Sequence, residues 1–331
     1  MTASTTSASS TAQSPPVPNR QPLSVRLVNG LLAIEPLFRW VKGKARKRMV
    51  DRAEDMGIGW RTQSERLRQV IGPQALGTGS ELSDEWQQRW TELIDVDLTY
   101  PAYYQSPFHA YDDGNLSWDA ATEVEVAARA VHATIWPDAG IDGDAKLRQS
   151  YHDVLMQNLP RAPQAIVDMG CSVGMSTFSL QDCYPDASMT GVELSPYFLT
   201  IADYRATQQG RLVCWQHASA EATGLPSNAY DLVSLCLVCH ELPRTAAQAI
   251  FAEARRLLRP GGHLAIMDMN PQSEVHRKMP PYVFTLLKST EPFLDDYFTF
   301  DIAAAIADAG FYDPVQTANS PRHRTIVAQV R

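Results

Sequence analysis

The sequence is poor in the features that mark an exported, membrane-spanning or nucleic-acid-gripping protein. Its 331 residues contain five cysteines, Cys171, Cys183, Cys214, Cys236 and Cys239. The count is odd and all five fall in the second half, so no disulfide framework is expected and a reducing, cytoplasmic setting is the default. Cys236-x-x-Cys239-His240 has the letters of a c-type haem attachment site. No second Cys pair at zinc spacing accompanies it, and Leu235-Cys236-Leu237-Val238-Cys239 reads as a buried strand end, so these are expected to be small core residues and no metal site is expected. No apolar run reaches the roughly 18 residues that a membrane span needs. Residues 1–19 hold no acidic residue and no apolar core, which argues against a secretory signal. Their Ser, Thr, Ala and Pro content leaves a disordered tail or an organelle transit peptide. A formal charge of -8 argues against general attraction to nucleic acid, and no DNA partner is expected.

Charge is unevenly placed. Arg20 to Arg68 holds 12 Lys and Arg against 5 Asp and Glu, whereas Glu81 to Asp144 holds 2 against 14. Any anionic partner should therefore meet the first segment and avoid the second. The length suits one large domain or a core with an added part. Residues 22–70 read as helical, with an apolar surface interrupted by Pro36 and followed by Lys42, Lys44, Arg46, Lys47 and Arg48; a further stretch from Arg61 ends at Gly72-Pro73. Residues 81–135 are also mostly helical, dense in aromatics between Tyr100 and Trp118. A helix should run from Asp144 to Asn158. After Pro163, apolar runs alternate with helical stretches: strands at Ala165–Met169, Ser188–Glu193, Leu212–His217, Tyr230–Val238 and His263–Met269, with helices at Met175–Asp182, Pro196–Gln208 and Ala246–Leu258. That alternation predicts an α/β, Rossmann-like doubly wound sheet, mostly parallel. A last helix, Ile302–Ala309, and a C-terminal strand pair close the chain. The expected division is a tail at 1–20, a helical extension and cap at 21–143 and the core at 144–331.

The first strand runs into Asp168-Met169-Gly170-Cys171-Ser172-Val173-Gly174. A glycine at a strand-to-helix turn lets a ligand approach the backbone, and such turns lie at the carboxyl ends of strands, where open α/β sheets bind ligands. The turn fails the dinucleotide fingerprint twice, because Ser172 and Met175 replace its second and third glycines. It lacks the lysine of a phosphate-binding Walker loop.

The turn resembles motif I of class I S-adenosylmethionine-dependent methyltransferases, commonly D-x-G-x-G-x-G, with Ser172 in place of the central glycine. The resemblance extends over Ala165–Arg331. Thr190-Gly191-Val192-Glu193-Leu194-Ser195 matches the family's second-strand ending, whose acid binds both ribose hydroxyls. Ala218-Ser219-Ala220-Glu221 is similar to the third element, with Ser219 where Asp usually meets the adenine amino group. Cys239-His240-Glu241-Leu242-Pro243 follows strand four, and Leu258-Arg259-Pro260-Gly261-Gly262 matches the turn before strand five. The resemblance implies S-adenosyl-L-methionine as methyl donor. It places the donor against Asp168, Gly170, Cys171, Ser172, Gly174, Glu193, Leu194, Ser219, Ala220 and Leu237, and His240 on the acceptor side as a base or a structural histidine. Glu193 is expected to serve the donor far more than the fold.

No Asn/Asp-Pro-Pro-Tyr follows strand four, so the sequence resembles the small-molecule branch of the family. Tyr103, Tyr104, His109, Tyr111 and Trp118 are candidate cap residues, since aromatics with polar tips suit a partly apolar pocket; a packed helical core is the alternative. The basic, amphipathic residues 23–48 fit a membrane surface and a lipophilic acceptor, or a helix packed on the core or in a homodimer interface. Docking of a protein or RNA acceptor through residues 42–48, and non-catalytic binding of the donor, are the other functional readings.

Overall fold

Short apolar runs after Pro163 become the five parallel strands of a seven-stranded sheet: β1 (Ala165–Met169), β2 (Ser188–Glu193), β3 (Cys214–His217), β4 (Tyr230–Cys236) and β5 (Leu258–Met269). β6 (Val315–Ala318) and β7 (His323–Gln329) complete it in the order β3-β2-β1-β4-β5-β7-β6, with β7 antiparallel to both neighbours. The computed structural model describes residues 35–72, 77–79, 81–109 and 111–331. The tail at 1–20 and the apolar part of the N-terminal segment before Glu35 lie outside them.

β1 is an interior strand, paired with β2 on one side and β4 on the other, so Val167 lies against both Thr190 and Val233. The chain therefore winds outward through β2 and β3, then returns past β1 to β4. The crevice at that reversal, over the carboxyl ends of the strands, is where such sheets bind ligands. Both faces of the sheet are covered, as parallel strands require. Ile166 and Leu232 pack on one face with Leu147 and Tyr151; Val167 and Val233 pack on the other with Ile250 and Phe251. Each such fully buried side chain contributes about 1.5–3 kcal/mol.

The helices are, in chain order, α1 (Glu35–Asp55), α2 (Trp60–Ile71), α3 (Asp84–Leu93), α4 (Trp118–His132), α5 (Gly143–Asn158), α6 (Met175–Cys183), α7 (Pro196–Gln208), α8 (Arg244–Leu257), α9 (Glu274–Arg277), α10 (Pro281–Lys288), α11 (Leu294–Phe298) and α12 (Ile302–Asp308). Pro36 sits in the first turn of α1, where a missing N–H costs nothing. Ser195 caps α7 by accepting the N–H of Phe198, and Pro196 occupies the first turn. β5 starts at Leu258, earlier than the His263 expected from its apolar run, because Tyr230 pairs with Leu258 before the register shifts. Helices α9 to α11 carry no sustained apolar periodicity and were not foreseen. Among the described residues, no helix is long and apolar enough to cross a membrane.

Candidate active site

A cavity of about 690 Å³ opens over the carboxyl ends of β1, β2 and β4. Its floor is the Gly170, Cys171 and Ser172 turn. Its walls are Glu193 and Leu194 at and after the end of β2, Ala218, Ala220 and Glu221 after β3, and Leu237, Val238, His240 and Glu241 after β4. Tyr103, Tyr104, His109 and Tyr111 cover one side, and Val283, Leu286, Leu287 and Glu291, on and just after α10, cover another. The volume falls inside the roughly 300–1,000 Å³ range of small-molecule pockets.

The turn is built for close backbone approach. Gly170 takes φ +70°, and a Cβ there would lie 2.8 Å from Val238 Cγ2. Ser172 holds φ +51°, in the left-handed region that favours glycine, at the position of the missing central glycine. That conformation aims its N–H at Glu193 Oε2, 2.7 Å away. Gly174 also has positive φ, but a Cβ there would press into the Phe178 ring at 2.7 Å, and the residue lies off the cavity wall. Asp168 sits beneath the turn, fully buried, accepting from Ser176 Oγ at 2.6 Å and Thr177 Oγ1 at 2.8 Å. It fixes the start of α6 and does not face the cavity.

Glu193 is buried and engaged on both oxygens. Oε2 accepts the Ser172 N–H; Oε1 accepts the Ser195 N–H at 2.8 Å and the Tyr104 hydroxyl at 3.2 Å. Burial raises its pKa, against those backbone donors and Tyr104, which lower it. The carboxylate thus ties the ends of β1 and β2 together, a structural part that its strand-end position did not reveal. Ser219 lies off the wall, with its hydroxyl on Glu221, which also accepts from Tyr103 at 2.5 Å. Trp118 also lies away from the cavity. It is 1% exposed in an aromatic core with Trp86, Trp90 and Tyr197, and its indole N–H donates to the Gly79 carbonyl. Tyr111 lines the cavity, but its hydroxyl donates to Glu123 at 2.7 Å.

On the opposite side, His240 Nδ1 lies 2.7 Å from Asp268 Oδ1, and the His240 backbone N–H donates to Asp268 Oδ2 at 3.2 Å. Asp268 comes from β5 and is fully buried. Burial alone would lower the His240 pKa, but the charge and hydrogen bond of Asp268, with Glu291 and Glu241 nearby, push it up to about 10. Asp268 holds one ring nitrogen, leaving Nε2 toward the cavity, an arrangement that orients a general base. His109 faces the same space and is kept neutral by burial and by the charge of His240. Its backbone N–H donates to the Thr290 carbonyl, joining the aromatic segment to the end of α10.

Sequence reasoning missed Asp268, Glu241, Glu291 and Arg148. Arg148 projects from α5 to the cavity wall, where it binds Asp144 and contacts Cys236 Sγ at 3.7 Å. An arginine in the helix preceding β1 was the one available signal. The basic N-terminal run is partly committed within the fold. Arg46 pairs with Glu123 from the cavity wall, and Lys47 pairs with Asp51.

The family model described as a methyltransferase domain matches residues 166–262. A malonyl-[acyl-carrier protein] O-methyltransferase of Hahella chejuensis is 35% identical over 34% of this chain and 38% of its own length. A demethylmenaquinone methyltransferase of Thermus thermophilus is 28% identical over 34% of this chain and 50% of its own. The chain thus spans half or less of these curated relatives. Among solved structures, a SAM dependent methyltransferase from Aquifex aeolicus is similar at TM-score 0.45 and 15% identity, covering 60% of this chain and 95% of that one. The match to a methyltransferase domain over residues 166–262 takes in β1 to β4, the Gly170 turn and Glu193.

Proposed function

We propose that the chain transfers the methyl group of S-adenosylmethionine to a small, largely apolar acceptor held in the cavity. The donor supplies an electrophilic methyl on its sulfonium, so the protein's task is mostly proximity, orientation and exclusion of water. Glu193 would accept the ribose hydroxyls, Leu194 and Ala220 would flank the adenosine, and the Gly170 turn would lie along the methionyl part. Cys171, Ser172 and Leu237 border that path, and Arg148 would face the carboxylate. Tyr103, Tyr104, His109 and Tyr111 would close the acceptor side. His240, oriented by Asp268, would take the acceptor's proton.

One observation carries this reading: a single cavity joins the Gly170 turn and Glu193 to the His240 and Asp268 pair. A lining drawn from the turn, the aromatic segment and α10 suits a small molecule better than a docked protein or RNA. Peripheral membrane contact through residues 23–48 forms no part of the proposal. The test is calorimetry with S-adenosylhomocysteine, NAD and ATP, followed by a metabolite-extract screen with labelled methyl donor. Binding of S-adenosylhomocysteine alone, with label entering a small molecule, is expected. Heat from NAD and none from S-adenosylhomocysteine would sink it.

A further inference from the structure

The acceptor side of the cavity gathers two carboxyl groups, Glu241 and Glu291, with no hydrogen-bond partner among the described residues. Glu241 Oε1 stands 4.0 Å from both His240 Nε2 and His109 Nε2, too far for a hydrogen bond. The Glu291 carboxylate makes no hydrogen bond among the described residues, and it lines the same space. The two arginines of the wall are engaged away from these carboxyl groups: Arg46 pairs with Glu123, and Arg148 pairs with Asp144 and would face the donor. His240 is already matched by Asp268, which is fully buried behind it. Around these carboxylates the wall is apolar, with Val283, Leu286 and Leu287 on α10.

Ionising either group in such a place is costly unless a cation joins it. Burial pushes Glu241 up to about 8, opposed by His240 and reinforced by Glu291, and burial raises Glu291 as well. A bound metal would be one answer, but among the described residues no group of His, Cys, Asp and Glu is placed to hold one. An anionic acceptor would meet two carboxylates and no free Arg or Lys. A neutral alcohol would add no charge to balance them.

We infer that the methyl acceptor is a lipophilic amine that enters as its ammonium form, with Glu241 and Glu291 as counter-charges and α10 along its apolar body. This rests on the methyltransferase reading and narrows its substrate class. The ammonium gives one proton to the Glu241 carboxylate or to neutral His240 Nε2. The freed nitrogen lone pair then forms the N–C bond as the C–S bond breaks, its electron pair remaining on the sulfur of S-adenosylhomocysteine. The product leaves as a methylammonium ion, and the proton held by the protein passes to solvent, one per turnover.

The test is calorimetry of the full chain saturated with S-adenosylhomocysteine, titrated with phenethylamine, phenethyl alcohol and phenylpropanoate at neutral pH. The amine should bind at least about tenfold tighter than the alcohol, and the acid should give no heat. The Glu241→Gln, Glu291→Gln double variant should lose that preference while keeping its affinity for S-adenosylhomocysteine. With labelled donor, the amine should gain an N-methyl group. An alcohol or acid that binds as well as the amine, no heat from any probe, or a preference retained in the double variant would overturn the inference. Failure to bind S-adenosylhomocysteine at all would instead overturn the methyltransferase reading.

Discussion

The Tyr104 hydroxyl donates to Glu193 at 3.2 Å, onto a carboxylate that already accepts the backbone N–H groups of Ser172 and Ser195. A carboxylate offers about four acceptor sites, and these donors use three. Two ribose hydroxyls need two sites, so the Tyr104 hydroxyl must yield when the donor binds. Tyr104→Phe should therefore tighten S-adenosylhomocysteine binding, by up to about tenfold if the bond surrendered is worth about 0.5–1.5 kcal/mol. Calorimetry on both proteins decides it. A weaker complex would mean that the hydroxyl itself touches the nucleoside.

Glu193→Ala should cost both affinity and fold. Removing the carboxylate strands the buried N–H groups of Ser172 and Ser195, at about 1–3 kcal/mol for each unsatisfied donor. The expected result is a lower melting temperature without ligand and weaker S-adenosylhomocysteine binding. Glu193→Gln keeps one acceptor oxygen but turns an amide toward one of the two N–H donors, so it should also melt lower, by a smaller margin. Unchanged melting in the Ala variant would show that the carboxylate does not hold the β1 turn.

His240 and Asp268 tie activity and stability to pH in opposite senses. The His240 pKa is raised to about 10, so its neutral, proton-accepting form grows as pH rises toward that value. Acceptor turnover limited by this base should therefore climb with pH. Stability runs the other way. A raised histidine pKa stabilises fully below the unfolded value of about 6.5, and that contribution is lost as pH rises through the folded value. Asp268 is lowered in spite of burial, because of His240, so its contribution is lost as pH falls through its folded pKa. In Asp268→Asn the buried imidazole loses its counter-charge, and the activity limb should move to lower pH. A limb that stays in place would mean that His240 is not the base.

The βαβ alternation was legible because each buried strand reads as an unbroken apolar run. Gly170 and Glu193 stood out because glycine and acid at strand ends are chemically conspicuous. Asp268 did not stand out, since Ile266-Met267-Asp268-Met269 reads as strand interior. Its meeting with His240 depends on the pairing of Cys236 with Met267 across β4 and β5, which no local pattern encodes. Trp118 shows the reverse failure. An aromatic-rich segment does not say which rings face a ligand and which face Trp86 and Tyr197, and packing decided that. Helices α9 to α11 escaped because Pro280 and Pro281 break the region into pieces too short for a periodic signal.

Gly170→Ala tests the turn through two separable costs. The first is steric: the new Cβ would lie 2.8 Å from Val238 Cγ2 and 3.2 Å from Cγ1. The second is conformational, because φ +70° lies in the left-handed region, where a Cβ costs about 1–2 kcal/mol. Val238 lines the cavity beside Leu237, so pushing it aside should also narrow the space for the methionyl part of the donor. The single variant should melt lower than the parent and bind S-adenosylhomocysteine more weakly, by tenfold or more if the steric and conformational costs together reach about 1.4 kcal/mol in the complex. Adding Val238→Ala removes the steric cost and leaves the conformational one. The double variant should therefore regain part of the affinity and part of the stability, and neither in full. Thermal melts and calorimetry on the parent, both single variants and the double variant check this. Complete recovery would mean that the turn relaxes its backbone freely. No recovery would mean that the Gly170 to Val238 contact is not what limits the approach of the donor.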